Sequence, residues 1–147
     1  MEEVAQQLDN IVNTYSVQLL HFTEAELALK PAPDKWSKKE IIGHLIDSAQ
    51  NNIRRFVVTQ YETRPHIVYA QDNWVSIQNY KEYNSKELIT LWGLLNKHIV
   101  VILKNMPAVH YQLQCNTGKQ QKQFYTIEFL AKDYIIHHLH HLKQIVA

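Results

Sequence analysis

The chain has 147 residues, 46% of them hydrophobic and 20% charged, with only 3 glycines, 4 prolines and 1 cysteine. That size and balance predict one folded domain spanning 1–147 and exclude a disordered chain, while the scarcity of Gly and Pro excludes an all-β architecture, whose many turns need both. A formal charge of +1 leaves no basic footprint for nucleic acid, and the lone Cys115 excludes an intramolecular disulfide and a CxxC zinc knuckle.

The N-terminal stretch MEEVAQQLDNIV is acidic and lacks a basic, then apolar, leader pattern. It reads instead as the start of a first helix over 2–22, with Val4, Leu8, Ile11, Val12, Tyr15, Leu19 and Phe22 at three- and four-residue spacing. Thr23 can cap a short turn, which Pro31 and Pro33 end. Trp36-Ser37-Lys38-Lys39-Glu40-Ile41 carries the sharpest local signal. Ser37 and Glu40 form a capping box, and Trp36 and Ile41 form a hydrophobic staple. A second long helix is expected from about 38 to 59, with Ile41, Ile42, Leu45, Ile46, Ala49, Ile53, Phe56 and Val57 on its apolar face.

Residues 60–84 form an aromatic-rich connection, with a helical turn expected around Asp72 to Tyr80. A third long helix starts at Ser85, read as its N-cap, and ends before Pro107. Its Ile99–Leu103 run is far shorter than the ~20 apolar residues a membrane helix needs. Residues 108–125 are polar, with a turn at Asn116-Thr117-Gly118, and fit a loop or a short hairpin. Thr126 caps the fourth helix. Four long amphipathic segments predict an all-α fold, an antiparallel four-helix bundle with long connections between helices 2–3 and 3–4.

Nine histidines are present, and four lie in the five positions 137–141. His137 and His141, at i and i+4, can present two imidazoles to one point, as metal ligands on a helix must, and the i,i+3 pairs His137/His140 and His138/His141 are also possible. The helix wheel centres the apolar face near Tyr134, His138 and Ile145, with His137 and His141 on one flank. Asp133 and Gln144 share that flank and can orient a ligating imidazole. The alternative reading is a solvated or simply hydrogen-bonded histidine cluster. A catalytic site needs a third protein ligand and an open position. His44 is the candidate, in a stripe with Ser48, Asn51 and Arg55. That stripe reads either as a solvated helix face or as the border of a polar pocket. Asp47 is a second orienting candidate or a surface carboxylate. His21, His66, His98 and His110 lack comparable partners and read as structural or surface residues.

Together, Trp36-Ser37-x-x-Glu40, His44-Leu45-x-Asp47, Tyr69-x-Gln71-x-x-Trp74 and Asp133-Tyr134-x-x-His137-x-x-His140-His141 resemble the DinB/YfiT-like family, over about residues 4–147. The resemblance implies a four-helix bundle with one divalent metal, zinc or nickel foremost, held by His44, His137 and His141. His138 and His140 are then not ligands. It implies the chemistry of a thiol S-transferase, a thiol-dependent isomerase or a metal-dependent hydrolase without choosing among them, and the leading hypothesis is a metal-dependent S-transferase acting on a small molecule with a low-molecular-weight thiol as co-substrate. Alternatives are a metal-dependent hydrolase that activates water, and a non-catalytic metal-binding or sensing bundle. Arg55, Tyr69 and Trp74 are candidates for the pocket border, with core packing the other role open to Trp74. Cys115, without an activating neighbour, reads as a loop thiol. A cytoplasmic location and a homodimer accompany the resemblance, while DNA and membrane partners are not expected.

Overall fold

Capping chemistry sets most of the helix starts. The computed structural model describes the whole chain and contains α1 (Glu2–Leu20), α2 (Glu24–Ala28), α3 (Lys38–Val58), α4 (Gln71–Gln78), α5 (Ser85–Asn105) and α6 (Ile127–Val146). Between α5 and α6 lie β1 (Gln114–Asn116) and β2 (Phe124–Thr126), an antiparallel pair in which Cys115 faces Tyr125. Thr23 with Glu26 and Ser37 with Glu40 both form complete capping boxes, and the Thr126 hydroxyl accepts from the Phe129 amide. No helix is long and apolar enough to cross a membrane.

Two local expectations change and an open one is decided. The N-cap of α5 is Asn84, not Ser85. The Asn84 side chain accepts from the Glu87 amide, and Ser85 is the first helical residue. Asn is among the strongest caps, so the two adjacent polar residues compete and Asn84 holds the position. The helical turn expected at 72–80 is α4, which stops at Gln78 because Asn79 adopts a left-handed φ of 51°. Of the two readings of 108–125, the hairpin is the one formed.

Each long helix has an apolar stripe and needs two neighbours to cover it. α1 packs on α5 and α6, and α3 also packs on α5 and α6. Long helices consecutive in the chain, α1 with α3 and α5 with α6, therefore lie diagonally across the bundle. Side-chain pairs fix the directions. Lys104–Glu2 and Lys97–Asp9 make α5 antiparallel to α1. Trp92–His138 and Asn96–Tyr134 make α5 antiparallel to α6. Lys38–Ile145 and Phe56–Tyr134 make α3 antiparallel to α6 as well. Hence α3 and α5 run the same way, and the bundle is not antiparallel throughout. The connection 59–84 makes this possible, because parallel neighbours need a long return along the bundle.

That return is anchored by Tyr80, which is 2% exposed. Its ring lies so close to α3 that a Cβ on Gly43 would overlap it. Glycine at 43 therefore lets Tyr80 reach inward and place its hydroxyl on Asp47. The core itself is formed by residues such as Leu8, Leu45, Phe56, Trp92, Ile99 and Leu142.

Candidate metal centre

The Ser37 cap sets the phase of α3, and that phase turns His44 toward α6. His44 is 1% exposed, so the stripe His44-Ser48-Asn51 is buried against neighbouring elements rather than solvated. A wheel drawn from apolar residues alone misses this, because the groups covering the stripe are themselves polar. His44 Nε2 lies 3.3 Å from His137 Nε2. One nitrogen from each of His44, His137 and His141 falls within 4.8 Å of the others. The three rings meet edge-on, at 76° to 80°, rather than stacked.

Burial, reinforced by the neighbouring imidazoles, pushes the His44 pKa down to about 3. Burial also pushes His137 down to about 4, with nearby Asp133 opposing the shift, and lowers His141. All three rings are thus neutral near pH 7 and keep a lone pair. Gln144 Oε1 lies 3.2 Å from His141 Nδ1. An amide oxygen only accepts, so Nδ1 carries the proton and Nε2 carries the lone pair. His44 Nδ1 is buried without a partner. Hydrogen bonds among three neutral imidazoles cannot use all three converging lone pairs. A cation can, so these residues fit a metal ion.

The other expected residues separate into groups. Gln144 touches His141. Asp133 lines the same cleft as His137 and is exposed. Asp47 is buried, not a surface carboxylate, and its Oδ1 accepts from Tyr80 and Gln78 rather than from His44. Its Oδ2 has no partner. Arg55 and Tyr69 line a cleft of about 220 Å³ beside His137. Trp74 does not line it and packs edge-on against Tyr69 at 5.5 Å. Ser48, which shares the His44 stripe, does border this cleft, and so do Asn52, Thr117 and Lys119. The last three escape the sequence reading. Asn116-Thr117-Gly118 signals a turn, but its meeting with α3 is a tertiary fact. A second cleft, of about 320 Å³, opens on the other side at Trp36, Ile41 and His141.

His138 lies at the centre of the apolar face as the wheel indicates. It is fully buried and its Nε2 accepts from the Trp92 indole at 2.7 Å. His140 is exposed. His66 meets the Gly118 carbonyl and His110 meets Gln60. Cys115 is buried in β1 rather than in a loop, and burial raises its thiol pKa, which makes it unreactive.

A helical bundle with three neutral histidines converging beside a cleft defines a class of candidate metal-binding proteins. The chain belongs to the DinB superfamily, whose sequence profile matches residues 2–145. The fold is similar to YfiT from Bacillus subtilis, described as a probable metal-dependent hydrolase with an unusual four-helix bundle topology. The TM-score is 0.86 at 21% identity, over 97% of this chain and 82% of YfiT. It is also similar to a mycothiol-dependent maleylpyruvate isomerase in which one histidine is replaced by alanine. Here the TM-score is 0.79 at 15% identity, over 99% of this chain and 60% of the isomerase. The unsubstituted isomerase gives a TM-score of 0.70 at 14% identity, over 96% of this chain and 60% of its own. The chain thus spans 60% of the isomerase, less than two thirds. At these identities the likeness is one of fold. No curated protein matches the chain in sequence.

Proposed function

We propose that His44, His137 and His141 hold one divalent metal ion and that the chain is a metal-dependent transferase of a low-molecular-weight thiol to a small electrophile. The carrying observation is the convergence of three neutral donor nitrogens within 4.8 Å at the edge of a cleft. When bound, a divalent ion supplies Lewis acidity that makes a thiol or water acidic enough to serve as a nucleophile near pH 7. Neutral imidazoles suit this chemistry because they leave the full positive charge of the ion in place. Gln144 fixes the His141 tautomer. Burial keeps His44 neutral, with its ring packed between Trp36, at 5.0 Å, and α6. The α3–hairpin cleft receives the small molecule on the His137 side. Zinc and nickel both accept imidazole ligands, and the donor set does not choose between them.

One observation favours a second reading, hydrolysis. Asp133 puts a carboxylate in the cleft wall beside His137, where it can take a proton from water. Elemental analysis of tag-free protein never exposed to a nickel column tests the shared premise. About one zinc or nickel per chain is expected, lost in His44→Ala. A panel of electrophiles is then turned over with and without added small thiol. Turnover only with thiol supports transfer, and turnover without it sinks transfer in favour of hydrolysis. Metal-free protein that binds neither zinc nor nickel leaves a non-catalytic bundle.

A further inference from the structure

The cleft beside His137 has a second feature that a metal does not explain. Arg55 is half-buried, yet none of the ion pairs in the molecule includes it. A guanidinium partly withdrawn from water normally has an anion beside it. Here its Nε and Nη2 donate to the Ile67 carbonyl at 3.2 and 3.1 Å. That carbonyl is held in place, because the Ile67 amide donates to the Asn116 carbonyl and His66 bridges to Asn116. One edge of the guanidinium is therefore pinned to the hairpin. The other edge, with Nη1, has no protein partner and is not sealed from solvent. This free edge is a planar two-donor fork, the shape that matches the two oxygens of a carboxylate.

The rest of the wall agrees. Asn52 and Ser48, one and two turns before Arg55 on α3, add polar groups, and Thr117 and Lys119 come from the hairpin loop. Lys119 is exposed and also lacks an ion-pair partner. The only acid in the wall, Asp133, stands one helical turn from His137 on α6. The cleft is thus polarised, with unpaired cations on the α3–hairpin side and an acid on the α6 side beside the histidines.

We propose that Arg55, supported by Lys119 at the rim, is a subsite for the carboxylate group of a small organic acid. Its reactive end would then lie toward His137. The role of that reactive end rests on the metal reading above, but the carboxylate subsite is a property of metal-free protein and is tested there.

The test is an NMR titration of metal-free protein with succinate, succinamide and inorganic phosphate as probes. Saturable shifts are expected for succinate at the Arg55 side chain and at Ser48, Asn52 and Lys119, with none for the neutral diamide. Arg55→Gln is expected to weaken succinate by at least about tenfold, and Lys119→Gln by about threefold, since one charge is half-buried and offers a two-donor fork and the other is solvated. Arg55→Lys, which keeps charge without the fork, is expected to fall between. The succinate–succinamide contrast in the unsubstituted protein stands even if Arg55→Gln does not fold. Mercaptosuccinate against succinate on zinc-loaded protein then tells whether the thiol or the second substrate carries the carboxylate. Tighter binding of the thiol acid, lost in Arg55→Gln, assigns it to the thiol. Equal binding assigns it to the other substrate. Equal succinate binding by Arg55→Gln and the unsubstituted protein overturns the subsite, as do shifts elsewhere. Phosphate binding as tight as succinate overturns the carboxylate assignment. Zinc titration in parallel separates the two ideas. Failure to bind zinc strikes the metal reading alone, and failure to bind succinate strikes this one alone.

Discussion

His137 and His138 are adjacent on α6 and meet opposite fates. His138 points into the core and its lone pair is used by the Trp92 indole, while the Trp92 main-chain carbonyl accepts from Asn96, whose amide oxygen accepts from the Tyr134 hydroxyl. His137 sits half-buried on the flank, where its Nε2 meets the Nε2 of His44 and a cleft. Both are held well below the ordinary imidazole pKa, His138 at about 3 and His137 at about 4, chiefly by burial. A depressed pKa therefore does not separate a ligand from a core residue. What separates them is whether the lone pair already has a donor.

The largest effect is expected for His137→Ala. Zinc affinity should drop more than about a hundredfold, beyond the 10- to 100-fold that losing an outer-shell partner costs. The thermal midpoint of metal-free protein should barely move. Isothermal titration with zinc and a melting curve read the two sides. If His137→Ala binds zinc as before, the contrast between the neighbours collapses.

His138→Ala should do the reverse. It leaves the Trp92 N–H buried without an acceptor and opens a cavity, together worth about 2–4 kcal/mol of stability. Zinc stoichiometry should hold at one per chain. Urea unfolding beside metal analysis checks this, and unchanged stability would refute the structural role.

A third expectation is a pH slope in metal-free protein. His138 has a folded pKa of about 3 against an ordinary value of 6.5. Between these values the unfolded chain binds the proton and the folded one does not. Stability should therefore fall as pH drops from 6.5 toward 3, by about 1.4 kcal/mol per pH unit for this group. Above 6.5 the contribution is flat. His138→Gln should flatten part of the slope, and unfolding curves across the window measure it.

The smallest effect is expected for Gln144→Ala. It frees the His141 tautomer without removing a ligand, so zinc should weaken by about tenfold. Indistinguishable affinity would mean that Gln144 does not orient His141.

Much of the local structure was legible in the sequence. The Ser37–Glu40 box, the Thr23 and Thr126 caps and the His137–His141 spacing each depend on residues within a turn of one another. The family resemblance brought His44 into the same group. Two kinds of feature were not legible. The burial of His44, Ser48 and Asn51 escaped because polar groups cover them. The contributions of Asn52, Thr117 and Lys119 to the cleft escaped because the hairpin reaches α3 only in the folded chain.

The sequence by itself determined the helices, their caps and which face of each is apolar, since these follow from backbone hydrogen bonding and side-chain periodicity over a few residues. Only the tertiary structure decided which helix covers which. It set α1 diagonal to α3, made α3 parallel to α5, and brought His44 to within 3.3 Å of His137 across a separation of 93 residues. It also left one edge of Arg55 free. An apolar stripe specifies that a face must be covered and not by what, so partner choice is settled by packing of the whole chain.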